Sequence, residues 1–160
     1  NNENNISYEL SNKLTMTSAV IKEGMRIYPA AYVNGRSAID DDEWNGYKIP
    51  KGTSIWTLIY HSHRYDKYFP DPLKFEPERF LNDRRGGSYH SLCYMPFGHG
   101  ARQCIGFRLA QLEMRITLAF FIKNFKWSVA EESKDIKLGF GSTTLQAKTP
   151  IILQMESRSQ

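Results

Sequence analysis

Between Tyr65 and Gly100 the chain holds four of its seven prolines (Pro70, Pro72, Pro77 and Pro96) and no sustained hydrophobic period. Neither a long helix nor a long strand can run through it. The same stretch carries Tyr65, Tyr68, Phe69, Phe75, Phe80, Tyr89, Tyr94 and Phe97. Disordered linkers are poor in aromatic residues, so this is an ordered, packed, irregular coil. Ordered coils of such length are uncommon and usually functional. The regular elements have to be read on either side of it.

Upstream, Leu14, Val20, Ile21, Met25, Ile27 and Tyr28 space as one face of a short helix, with Thr15 or Thr17 to cap it and Pro29 to end it. Residues 30–39 read as extended chain, followed by an acidic turn at 40–43. Tyr47–Ile49 and Thr53–Ile55 flank Pro50-Lys51-Gly52 and suggest a β-hairpin, and Thr57–Arg64 suits a helical turn. Downstream, Cys104–Phe125 is the strongest helix, apolar over most of its surface with Arg108, Gln111 and Arg115 as a polar stripe. Such a helix is expected to be largely buried. Trp127–Ala130, Ile136–Phe140 and Leu145–Met155 read as strands, with a turn at Gly141-Ser142. The expected fold class is mainly α with small β-sheets (α+β), and 160 residues make one domain's worth of chain.

Charge is uneven. The net charge is +4, and from His99 to Lys126 five basic residues face the single acid Glu113. This face suits an acidic partner or an anionic ligand, whereas no basic stripe with interleaved aromatics argues for nucleic acid. Two cysteines, Cys93 and Cys104, give no disulfide framework. The longest apolar run of the C-terminal half, residues 118–122, is far too short to cross a bilayer.

The chemistry concentrates in Phe97-Gly98-His99-Gly100-Ala101-Arg102-Gln103-Cys104-Ile105-Gly106. A cysteine opening a helix, two residues from an arginine, sits where backbone N–H groups and a guanidinium favour a thiolate. Gly98, Gly100 and Gly106 clear side chains so that backbone and a flat ligand can approach. A cysteine phosphatase would need arginine where Ala110 stands. Neither a phosphate loop nor a dinucleotide loop fits the spacing, and His61, His63, His90, His99 and the cysteines lack zinc-type pairing. A lone thiolate as axial ligand to haem iron remains, with nearby cations for the porphyrin propionates.

Phe97-x-x-Gly100-x-Arg102-x-Cys104-x-Gly106 resembles the haem-binding loop of the cytochrome P-450 monooxygenases. Glu23-Gly24-Met25-Arg26 is similar to that family's Glu-x-x-Arg helix, and Phe75-Glu76-Pro77-Glu78-Arg79-Phe80 to its Pro-Glu-Arg-Phe element. Gly46-Tyr47-Lys48-Ile49-Pro50-Lys51-Gly52-Thr53 resembles the hairpin between them. The resemblance runs from Leu14 onward. It implies that residues 14–160 are the C-terminal part of a single P-450 domain, with residues 1–13 a truncated N-terminus that begins without Met.

What the resemblance implies for the residues is specific. Cys104 would ligate the iron of haem b (iron protoporphyrin IX), with Phe97 beside it and Gly98, Gly100, Ile105 and Gly106 shaping the loop. Arg102, His99 and Arg36 would meet the propionates. Glu23, Arg26 and Arg79 would form a buried triad that locks the coil, a structural role with no share in the chemistry. Ala31, Tyr32, Val33, Phe140 and Ser142 would line the substrate pocket. His61-Ser62-His63 is expected to be a packed or surface pair rather than a metal clip, and Cys93 a small hydrophobe.

The family's oxygen-activating acid–threonine helix has no counterpart in this chain, so no catalytic residue beyond the axial ligand is expected here. The implied activity is insertion of one oxygen atom from O2 into a lipophilic substrate, with electrons from an acidic reductase- or ferredoxin-type protein. A non-catalytic haem-binding module and an inactive fragment are the alternatives. The motif style points to an intracellular protein of the endoplasmic reticulum, attached to the membrane through a preceding segment. A piece of such a fold is expected to expose much apolar surface.

Overall fold

The computed structural model describes residues 7–81 and 91–158; Tyr89 and His90 lie outside them. Two helices open the chain, α1 (Tyr8–Lys13) and α2 (Thr15–Ile27). The first has no counterpart in the hydrophobic pattern and is capped by Ser7, whose hydroxyl accepts from the Leu10 N–H at 3.2 Å. At the start of α2 the expected threonine cap is absent. Leu14 is the N-cap with no side-chain bond, and its carbonyl instead accepts from the Ser18 hydroxyl at 2.9 Å. Tyr28 and Pro29 end α2 as expected.

Residues 30–57 form two antiparallel ladders in place of the expected Tyr47–Ile55 hairpin. Strands β1 (Asn34–Ser37) and β4 (Ser54–Thr57) pair with Arg36 opposite Ile55, while β2 (Asp42–Trp44) and β3 (Tyr47–Ile49) pair inside that loop. The acidic segment is therefore partly strand. The tight turn is Asn45-Gly46, with φ of 50° and 80°. Two consecutive positive φ values match the right-handed twist of a hairpin, and Asn-Gly adopts them most cheaply. Pro50-Lys51-Gly52 only steers the chain from β3 toward β4, the Gly52 N–H reaching the Ala38 carbonyl at 2.8 Å.

A short helix α3 (Ile59–Ser62) leads into the coil, whose one regular piece before residue 82 is a 3-10 turn at Pro77–Phe80. The coil folds back on α2. Phe69, Phe80 and Cys93 bury themselves against Ala19, flanked by Tyr68 and Tyr94, and this cluster is the core of the protein. Cys93 accordingly packs as a small hydrophobe.

Beyond the coil, α4 (Phe107–Asn124) starts three residues later than expected, after a 3-10 turn at Gly100–Arg102. It is also not largely buried: none of its residues is. Gln111 and Arg115 of the polar stripe lie beside Ser18 and Lys22 of α2, whereas Arg108 is exposed along with Leu109, Phe120 and Ile122. The last segment, expected as one strand from Leu145 to Met155, is two strands in different sheets. Strand β6 (Leu138–Phe140) pairs with β7 (Leu145–Ala147), and β5 (Phe125–Val129) pairs with β8 (Leu153–Ser157). Pro150, unable to donate to a ladder, falls at the break.

Candidate haem-binding cleft

The loop before α4 is held by its own backbone. The Cys104 N–H donates to the Phe97 carbonyl at 2.9 Å, Gly98 N–H to Met95 at 3.0 Å, and Gln103 N–H to Gly100 at 3.0 Å. Two of these bends need φ of +74° at Gly98 and +76° at Gly100, a region L side chains rarely adopt. At Gly98 space is short as well, since a Cβ there would lie 3.3 Å from the Asn34 side-chain nitrogen. Cys104 stands ahead of the helix proper, its carbonyl accepting from the Phe107 N–H at 3.3 Å, and its side chain is exposed.

That exposure is to a cleft of about 940 Å³ between the loop and the β1–β4 ladder. Cys104, Phe97, Gly98 and Arg102 line it from the loop side, and Arg36 faces them from β1. Ala31, Val33, Trp56 and Ile59 supply apolar walls. Haem b needs one soft axial donor, a flat apolar slot and cations for two carboxylates. The cleft provides a thiol sulfur, carbon-rich walls, a glycine where a side chain would intrude, and two guanidinium groups. The residues present fit the group. Among the described residues no set of three or more His, Cys, Asp or Glu could hold a bare metal ion.

The expected residues divide. His99 is exposed at the head of the Gly100–Arg102 turn, Ile105 is fully exposed, and Gly100 and Gly106 shape the loop without lining the cleft. Ala31 and Val33 line it, but Tyr32 between them does not. Its hydroxyl donates to the Gly141 carbonyl at 2.9 Å and its ring meets Phe140 edge-on at 5.1 Å. Phe140 and Ser142 are thus tied to the segment after α2 rather than facing the cleft. Asn34 and Trp56 line the cleft without having been singled out from sequence, because their place depends on the β1–β4 register.

The coil behind the loop is clamped by charge. Glu23 and Arg26, both completely buried on α2, form a bidentate pair at 2.7 and 2.9 Å. Arg79 adds a third contact to Glu23 at 3.1 Å and the Glu76 N–H a fourth at 2.9 Å. Arg26 spends its remaining donors on the carbonyls of His63, Pro72 and Lys74 at 2.8, 2.7 and 3.2 Å. Burial pushes the Glu23 carboxyl up, but the Arg26 bond, the Glu76 N–H and the charges of Arg26 and Arg79 outweigh it and hold it below the usual carboxylate range. His61 stacks on Tyr65 and His63 is buried, so the two histidines form no clip.

The cytochrome P450 family model matches residues 1–155. The chain is 36% identical over 155 residues to a lithocholate 6-beta-hydroxylase of Mesocricetus auratus, covering 97% of this chain and 31% of that protein. It is 36% identical over 160 residues to cytochrome P450 10 of Lymnaea stagnalis, covering 98% of this chain and 29% of that one. A probable cytochrome P450 4d20 of Drosophila melanogaster is 41% identical over 113 residues, 71% of this chain and 22% of that protein. The chain therefore spans less than a third of the length of these relatives.

Proposed function

We propose, from the premise that this chain belongs to the cytochrome P450 family, that it is the haem-cradling C-terminal part of a monooxygenase acting on a lipophilic substrate. Family members carry haem b, which on a cysteine thiolate supplies O–O cleavage and delivery of one oxygen atom from O2. In this reading Cys104 provides the sulfur, and Phe97 keeps water from it. Arg36 and Arg102 hold the propionates from opposite sides of the cleft. Ala31 and Val33 offer the substrate an apolar wall. The Glu23–Arg26–Arg79 cluster holds the coil that carries the cysteine loop. The basic segment from Arg102 to Lys126 receives an acidic electron donor, steered by charge. In this reading the full-length protein works at the endoplasmic reticulum. Among the described residues no helix is long and apolar enough to cross a membrane.

The observation that carries this reading is the meeting of one exposed cysteine and two arginines from distant segments on a single cleft. The test is spectroscopic. The full-length holoprotein, reduced under carbon monoxide, is expected to give a strongly red-shifted Soret band that Cys104→Ser abolishes. A Soret band unmoved by that substitution removes the ligand assignment. An inactive haem-free fragment would give no Soret band from the start.

A further inference from the structure

We propose that His63 is a positioning residue for the cysteine loop, transmitting the hold of the buried Glu23–Arg26 pair to the backbone that carries Cys104. This rests on the haem-thiolate reading above. His63 is completely buried, yet it belongs to none of the family motifs and does not line the cleft. Its connections run both ways. Its carbonyl accepts from Arg26 at 2.8 Å, and its ring Nε2 accepts from the Met95 N–H at 2.9 Å. Met95 in turn accepts from Gly98, and Phe97 from Cys104, at 3.0 and 2.9 Å. One unbroken sequence of hydrogen bonds and short backbone steps thus joins α2 to the cysteine.

The ring can do this only when neutral. Accepting at Nε2 puts the single proton on Nδ1, and a doubly protonated ring would turn the acceptor into a donor facing the Met95 donor. Burial and the nearby cations favour that state. Arg26 and Arg64 present positive charge, and Tyr94 stacks on the ring at 5.2 Å. The carbonyls of Arg26 and Met25, at the end of α2, pull toward protonation, but burial outweighs them and the pKa falls to about 4. Nδ1 has no hydrogen-bond partner among the described residues.

The test uses the full-length holoprotein with two variants. His63→Phe keeps a flat ring on Tyr94 and removes the acceptor, whereas His63→Gln restores an acceptor at similar reach. In the parent, the Met95 amide is expected to be protected from hydrogen exchange. In His63→Phe it should exchange about tenfold faster or more, as expected for a buried donor without a partner. The reduced carbonyl complex of His63→Phe should shift from the red-shifted thiolate band toward the shorter-wavelength form. His63→Gln should recover most of both signals. An unprotected Met95 amide in the parent overturns the proposal, even if no variant folds. So does a His63→Phe protein with parental exchange and parental band. A parent lacking the red-shifted band would instead defeat the haem-thiolate reading and leave the Met95 exchange result to judge His63 on its own.

Discussion

At the scale of single residues, the most consequential groups are the buried charges on α2. Glu23 and Arg26 are fully buried and satisfied by each other and by the coil's carbonyls and N–H groups. Removing one partner leaves the other uncompensated, so Arg26→Met or Glu23→Gln should lower unfolding stability by ~3–5 kcal/mol in urea titrations. Arg79→Ala should cost less, because its side chain is 10% exposed and Glu23 keeps Arg26. Acid acts on the same region. His63 has a folded pKa of about 4 against 6.5 when unfolded, so below pH 6.5 the unfolded chain takes up the proton first. Its contribution is complete above pH 6.5 and lost as pH falls to about 4, on the order of 3 kcal/mol in all. Glu23, held below its ordinary value, contributes stability that is fully present above its unfolded pKa and is lost as pH falls further. Stability measured by denaturant at a series of pH values should fall in that window, and the slope between pH 6.5 and 4 should shrink in His63→Gln.

At the scale of elements, two glycines separate conformation from crowding. Gly46 has φ +80° with nothing within 4 Å of a Cβ, so Gly46→Val should cost ~1–2 kcal/mol from backbone conformation alone and leave haem spectra unchanged. Gly98 has φ +74° and Asn34 at 3.3 Å from a Cβ. Gly98→Ala should therefore both destabilise the loop and weaken haem retention, read as lower Soret absorbance per chain. The Asn45-Gly46 turn was legible in the sequence, since Asn-Gly between short extended runs is a strong hairpin signal. Pro50-Lys51-Gly52 competes with it, because Pro at the second turn position and Gly beyond it also favour a bend. Helix α4 shows the converse limit. Its period is plain from residue types, but that Gln111 and Arg115 lie against α2 is revealed only by the contact between the two helices.

For the whole molecule, surface is the deciding quantity. Its accessible area is 12026 Å² for 18.5 kDa, against roughly 8,200 Å² for a compact monomer of that mass. Much of the excess is apolar: Leu109 is 60% exposed, Phe120 46% and Ile122 44% along α4, and Trp127 46% beyond it. Monomers rarely tolerate so much. The 160-residue chain produced alone should self-associate, seen by light scattering and by binding of an apolar fluorescent dye. Leu109→Lys with Ile122→Lys should reduce both signals while changing stability by no more than ~0.5 kcal/mol each, as exposed positions allow.

The sequence by itself determined the local chemistry: a cysteine ahead of the longest helix, glycines at the two positive-φ bends, a Glu and an Arg three apart on one helix, and a proline-rich coil that cannot be regular. These depend on residue type and short spacing, which any neighbour along the chain can reveal. Tertiary structure decided what lies opposite. The fold brings Arg36 and Arg102 to one cleft, ties Tyr32 to Gly141 away from it, and sets His63 between Arg26 and Met95. Such pairings join residues tens of positions apart, and each becomes favourable only once the others have already closed the intervening loops.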